Sequence, residues 1–129
     1  MLKNLDSFTR DDGCLFALNE GLGIPVKRFF YIKDIPKNST RGHHAHIKNN
    51  QLLVCINGKI LVTMKKGDGD ESQVTLTTGQ TFLLENMTWA TQTYLTGEDV
   101  LLVLCSEVYD EKDYIRNYEK YLELLCKLS

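Results

Sequence analysis

The sequence predicts an all-β fold, and three observations carry the prediction. Short apolar runs recur between turn residues at roughly 8–12-residue spacing, the pattern of a β-sandwich or barrel. An Asn57-Gly58 pair stands between two of the strongest runs, QLLVCI and KILVTM. Helical periodicity is confined to the C-terminal end of the chain. The 129 residues suffice for one domain, read as a barrel over about 1–108 followed by a helix over about 110–128.

In chain order the strands are expected at 14–18, 26–32, 51–56, 59–64, 73–76, 80–84, 89–94 and 100–106. A type I′ turn needs positive φ at both central residues, and Asn-Gly supplies it, so 51–56 and 59–64 are predicted to pair as a two-residue hairpin. The stretch Lys66-Gly67-Asp68-Gly69-Asp70 reads as a solvated turn, because the remaining ligands of a calcium-binding loop are absent. Asp110 and Asp113 resemble an N-terminal capping arrangement. Ile115, Tyr118, Leu122 and Leu125 then follow at 3-4-3 spacing, one apolar stripe that is expected to dock on the outside of the barrel.

Composition excludes several classes. Hydrophobic residues are 43% and charged residues 25%, with a net charge of -2. Positive and negative residues are interspersed, which leaves no basic stripe for nucleic acid and no basic amphipathic helix for a membrane surface. The apolar runs are too short to span a bilayer, and the N-terminus lacks the apolar core of a signal peptide, so a cytoplasmic location is expected. The four cysteines, at 14, 55, 105 and 126, form no C-x-x-C pair and read as buried reduced thiols.

All three histidines fall in Arg41-Gly42-His43-His44-Ala45-His46. Residues two apart in an extended segment share a face, so His44 and His46 project together and His43 projects away. Four residues separate His46 from Gln51, and six separate Gln51 from Gly58. This is similar to the first cupin motif, with Gln51 where its Glu stands. Gly79 is placed to open the second motif, and Ala90 stands where its His would be. The resemblance implies a cupin-type jelly-roll β-barrel. Metal-binding cupins use all four of those positions, and two imidazoles with an amide make a poor metal site. The pair is then free for acid–base chemistry, for which imidazole is suited, and the competing reading is a satisfied polar pair on a barrel face.

Three stretches narrow the resemblance: IPVKRFFYI at 24–32, RGHHAH at 41–46 and YDEKDYIRNYEKY at 109–121. Together they resemble the sugar nucleotide 3,4-ketoisomerases of bacterial deoxysugar biosynthesis, over nearly the whole chain. The resemblance implies that the carbonyl of dTDP-4-keto-6-deoxyglucose moves from C4 to C3 through an enediolate, with no metal or organic cofactor. One of His44 and His46 would take the carbon-bound proton and the other would shuttle protons between sugar oxygens. Tyr31 would hydrogen-bond a sugar oxygen or stand as an ordinary strand aromatic. Arg41 would contact diphosphate or a surface carboxylate. Gln51 and Trp89 would line the cavity, either against sugar or thymine or merely as barrel filling. The resemblance also implies a homodimer that exchanges N-terminal strands. Many relatives carry an Arg-Gly pair near the first strand, its Arg associated with the nucleotide; here Arg10 is displaced from Gly13 by Asp11-Asp12. The rival readings are a 3,5-epimerase on the same substrate, a non-catalytic sugar-nucleotide-binding cupin and a metal-dependent dioxygenase, the last disfavoured by Gln51 and Ala90.

Overall fold

Along β11 (Val100–Cys105) buried and half-buried residues alternate, and along β4 (Arg28–Ile32) half-buried and exposed ones do. Successive side chains of a strand point to opposite faces, so each such strand turns one face to the core. In the computed structural model, which describes residues 1–128, these faces meet between two five-stranded antiparallel sheets. The first sheet runs β1 (Leu2–Asn4), β9 (Gln80–Leu84), β6 (Gln51–Asn57), β11, β4. The second runs β12 (Tyr114–Ile115), β5 (Ser39–His46), β10 (Trp89–Tyr94), β7 (Lys59–Lys65), β8 (Ser72–Thr77). A separate hairpin of β2 (Asp6–Arg10) and β3 (Gly13–Ala17) stands outside both. The core draws on both sheets, with Leu53 and Cys55 of β6 and Leu101 and Val103 of β11 against Ile60 and Val62 of β7 and Tyr94 of β10.

The all-β class is as predicted, and all eight expected runs form strands. No hydrogen-bonded ladder joins the two sheets among the described residues, so the core is closed by facing sheets rather than by a continuous cylinder. No described helix is long and apolar enough to cross a membrane. Cys55 and Cys105 are buried as expected, whereas Cys14, on the outlying hairpin, and Cys126, near the end of the C-terminal helix, are exposed; no disulfide forms among the described residues.

Two sequence-based expectations fail. The runs flanking Asn57-Gly58 do not pair, because β6 and β7 belong to different sheets. Gly58 has φ +98 but Asn57 has no positive φ, so the turn is not type I′. The chain instead turns a corner around the buried carboxylate of Asp99. That group accepts Lys59 N at 2.7 Å, Thr96 N at 3.0 Å, Thr96 Oγ1 at 2.9 Å and Gly97 N at 3.1 Å. A Cβ at Gly58 would collide with Asp99 Oδ1, which is why glycine stands there. Asp99→Ala leaves those donors without their acceptor and is expected to cost about 3 kcal/mol in urea unfolding. An unchanged midpoint would show that the corner is held by other contacts.

The helix, α1 (Tyr118–Leu128), begins later than the sequence suggests. Asp110 does cap, but it caps a short 3-10 turn over Glu111–Asp113, its side chain accepting from Lys112 N. Ile115 then pairs with Ala45 as part of β12. Tyr118, Leu122 and Leu125 pack as expected, against Ala45, Met87 and Ile115 on the outer side of the second sheet. The anchor is Tyr121, fully buried, whose hydroxyl donates to Met87 O at 2.8 Å and accepts from Gly67 N at 2.9 Å.

Candidate active site

A regular strand would place Arg41, His43 and Ala45 on one face of β5 and Gly42, His44 and His46 on the other. The pairing with β10 breaks that rule. Gln92 lies opposite Arg41 and Thr91 opposite Gly42, but Ala90 lies opposite His44. His43 is the extra residue of a β-bulge, with φ 58. The bulge turns Arg41 onto the face of His44 and His46 and leaves His43 outside. It also brings β5 close to β10: a Cβ at Gly42, φ +107, would stand 2.8 Å from Ala90 O.

The His44 and His46 rings meet edge to face with centroids 5.0 Å apart. His46 is buried, and its Nδ1 lies 3.2 Å from Asp113 Oδ2. The same carboxylate accepts Lys48 N at 2.8 Å and Asn49 N at 3.2 Å, so it is itself held in place. A carboxylate accepts only, which puts the imidazole proton on Nδ1 and leaves the Nε2 lone pair free. Nε2 is buried with no hydrogen-bond partner. Burial pushes the His46 pKa down to about 4; His44 adds to the effect and Asp113 opposes it. Burial lowers His44 as well, against the Gly42 backbone and together with Arg116. Both imidazoles are therefore neutral at neutral pH, as a general base must be.

Tyr114 completes this cluster. It pairs with His46 across β12 and β5, and its ring centroid lies 4.4 Å from that of His46 and 5.3 Å from that of His44. The Arg116 guanidinium sits over the Tyr114 ring at 4.2 Å and forms an ion pair with Glu111.

His44, Tyr114 and Arg116 help to wall a cavity of about 330 Å³ between the sheets, within the usual range for a small-molecule site. Its polar lining is His44, Tyr114, Gln51, Gln92 and three arginines, Arg28, Arg41 and Arg116. Phe30, Ile32, Leu101 and Val103 supply an apolar wall. Behind it lies a chamber of about 10 Å³ that shares His44, Gln51 and Gln92 with the cavity and is lined by His46 as well.

Of the residues proposed from the sequence, His44, His46, Gln51 and Arg41 meet here. Three do not. Tyr31 is 61% exposed, because on β4 the even-numbered neighbours Arg28, Phe30 and Ile32 face the cavity and period 2 sends Tyr31 to the opposite face. Trp89 packs against Tyr118 and Tyr121 on the helix side of the second sheet. Arg10 ends β2 opposite Gly13 in the outlying hairpin, outside the cavity of its own chain. The residues that sequence reasoning missed are Arg28, Gln92, Asp113, Tyr114 and Arg116. The last three lie within the 109–121 stretch singled out above, but there they read as a helix start.

The four metal-ligand positions of a metal-binding cupin correspond to His44, His46, Gln51 and Ala90, and all four line the inner chamber. An amide and a methyl group replace two donors, and Asp113 ties up the Nδ1 of His46. This donor set does not fit a transition metal that wants three or four nitrogen or carboxylate ligands.

Comparison with known proteins agrees with this architecture. The family described as FdtA, WxcM-like C-terminal, matches residues 1–126. A TDP-4-oxo-6-deoxy-alpha-D-glucose-3,4-oxoisomerase from Aneurinibacillus thermoaerophilus is 35% identical over 120 residues, covering 91% of this chain and 86% of that protein. Among solved structures, the 3,4-ketoisomerase of Thermoanaerobacterium thermosaccharolyticum, as a His-to-Asn mutant in complex with TDP-4-keto-6-deoxyglucose, is 34% identical with a TM-score of 0.87, over 98% of this chain and 94% of that one. A 3,4-ketoisomerase from Helicobacter canadensis is 28% identical with a TM-score of 0.88, over 98% and 96%. With its imidazole pair, its two-sheet core and a match over nearly its full length, this chain belongs to the FdtA family, WxcM-like C-terminal.

Proposed function

We propose that this protein is a TDP-sugar 3,4-ketoisomerase that moves the carbonyl of TDP-4-keto-6-deoxyglucose from C4 to C3. The observation that carries the reading is a neutral, Asp113-backed imidazole with a free Nε2 at the inner end of a cavity whose walls hold three guanidinium groups. His46 removes the C3 proton, and the electrons of that bond form a C3–C4 double bond as the C4 oxygen gains a proton. The enediol then collapses: the C3 hydroxyl gives its proton to the neutral imidazole of His44, the C3 carbonyl forms, and His46 returns a proton to C4. Asp113 supports the imidazolium that forms on His46 between the two carbon steps. Arg28, Arg41 and Arg116 suit a diphosphate, since guanidinium pairs bidentately with phosphate oxygens.

The wider reading is a cytoplasmic homodimer with N-terminal strand exchange. Its support is an outlying hairpin that exposes Phe8, Leu15 and Phe16, and a first sheet whose outer face exposes Phe29 and Tyr31. In such a dimer Arg10 is the basic residue that the hairpin would carry to the other subunit.

A second reading, the 3,5-epimerase, is favoured by one observation, the His46–Asp113 pair, because those enzymes also pair a histidine base with an aspartate. One experiment separates the two. The protein is incubated with TDP-4-keto-6-deoxyglucose in deuterated water and followed by proton NMR. A 3-keto sugar deuterated at C4 supports the ketoisomerase. Deuterium at C3 and C5 with the carbonyl still at C4 supports the epimerase. Binding without any exchange would leave only a sugar-nucleotide-binding role.

A further inference from the structure

Isomerisation needs two kinds of proton movement, one on carbon and one on oxygen, and the oxygen side needs an acid. As the C3–H bond breaks, negative charge moves onto the C4 oxygen, and the barrier falls only if a donor stands ready there. Among the side chains that line the cavity the choice is small. The guanidinium groups of Arg28, Arg41 and Arg116 hold their protons at any physiological pH and serve as hydrogen-bond donors only. The amides of Gln51 and Gln92 neither take nor release one. That leaves His44 and Tyr114. Burial keeps the imidazoles neutral, and a neutral imidazole N–H is a far weaker acid than a phenol.

We propose that Tyr114 is the catalytic acid that protonates the C4 oxygen of the sugar. The assignment rests on the ketoisomerase reading and deepens it. Tyr114 lines the cavity beside His44 and is in register with His46 across β12 and β5, which sets its ring in one cluster with the two imidazoles. Arg116 lies over its ring at 4.2 Å, where a guanidinium stabilises the negative charge of a phenolate. Protons balance around the cycle. His46 takes the C3 proton and gives one back to C4. Tyr114 gives its hydroxyl proton to the C4 oxygen, and His44 takes the proton of the C3 hydroxyl. His44, whose ring centroid is 5.3 Å from that of Tyr114, then returns a proton to the phenolate and the site is reset. No bond to the enzyme forms, and no oxidant or reductant is needed.

The test uses full-length protein and TDP-4-keto-6-deoxyglucose. Tyr114→Phe is expected to melt at the wild-type temperature and bind TDP as wild type does, with KM little changed and kcat lowered about 10²–10⁴-fold. A Tyr114→Phe enzyme with wild-type kcat overturns the assignment. The second measurement places difluorotyrosine, a stronger acid of nearly the same shape, at position 114. The alkaline limb of kcat is expected to move to lower pH, since that limb reports loss of the acid's proton. A limb that stays in place overturns the assignment even where Tyr114→Phe fails to fold. Wild-type protein inactive on this substrate sinks the ketoisomerase reading and the acid with it. An active wild type with an unimpaired Tyr114→Phe sinks the acid alone.

Discussion

His46→Asn is expected to lower kcat by about 10²–10⁴-fold while the protein keeps its fold and its affinity for TDP. Asparagine is smaller than imidazole, yet its amide can still donate a hydrogen bond toward Asp113, so the half-buried carboxylate keeps a partner on this side. What disappears is a basic nitrogen that is buried without a hydrogen-bond partner, on a side chain that lines the inner chamber. His44 does not substitute for it, because burial, Arg116 and His43 all work against a positive charge there. Single-turnover NMR with substrate deuterated at C3 measures the effect where it arises, at carbon–hydrogen cleavage. Retention of wild-type turnover would remove His46 from the chemistry and shift the carbon-base role to His44.

Asp113→Asn is expected to be nearly as severe, with kcat lower by at least about 10²-fold, through two linked causes. The carboxylate fixes the His46 tautomer with the proton on Nδ1; an amide can donate instead, which would place the proton on Nε2 and block the base. The carboxylate also offsets the positive charge that His46 acquires on taking a proton. The pH profile separates these effects from a fall in stability. Because His46 is held down to about 4, the wild-type enzyme should keep its neutral base, and its rate, well below the 6.5 of an ordinary histidine. The acid limb is then expected near the His46 value. Asp113→Asn should move it no higher, since the lost carboxylate was raising that pKa. A wild-type limb at 6.5 would show that the titrating base is an ordinary exposed imidazole. Stability has its own sign. A histidine buried neutral favours the folded state fully above the unfolded value of 6.5. That contribution drains away as pH falls from 6.5 toward 4, by about 3 kcal/mol in all. Asp113→Ala, which also strips the acceptor from Lys48 N and Asn49 N, should lower the melting temperature by roughly 5–10 °C.

Much of this protein is legible without coordinates. The apolar runs between turn residues that define β6, β7 and β11 are a property of consecutive residues, and a segment with such a run to bury has few alternatives. The imidazole pair is legible for the same reason, since His44 and His46 are two apart on one strand. The stripe of Tyr118, Leu122 and Leu125 likewise foretells how α1 docks.

Tertiary structure decided what depends on which strand pairs with which. Asn57-Gly58 carries the local signal of a hairpin, yet β6 and β7 part into different sheets because each is flanked by two other strands, β9 and β11 for β6 and β8 and β10 for β7, and Asp99 holds the corner. Local turn preference amounts to a fraction of what those ladders and the core contribute. Arg41 reaches the cavity only because His43 is bulged out, a one-residue slip that period-2 reasoning cannot foresee. Tyr31 was lost by the same arithmetic, since nothing local says which face of β4 is the inner one. Asp113 lies 67 positions along the chain from His46, and Tyr114 is the residue after it. Only the folding of the C-terminal segment back onto β5 places them beside the imidazoles. Strand patterning is a short-range consequence of burial, whereas the acid–base cluster is assembled by long-range pairing, and that is where sequence and structure divide the site between them.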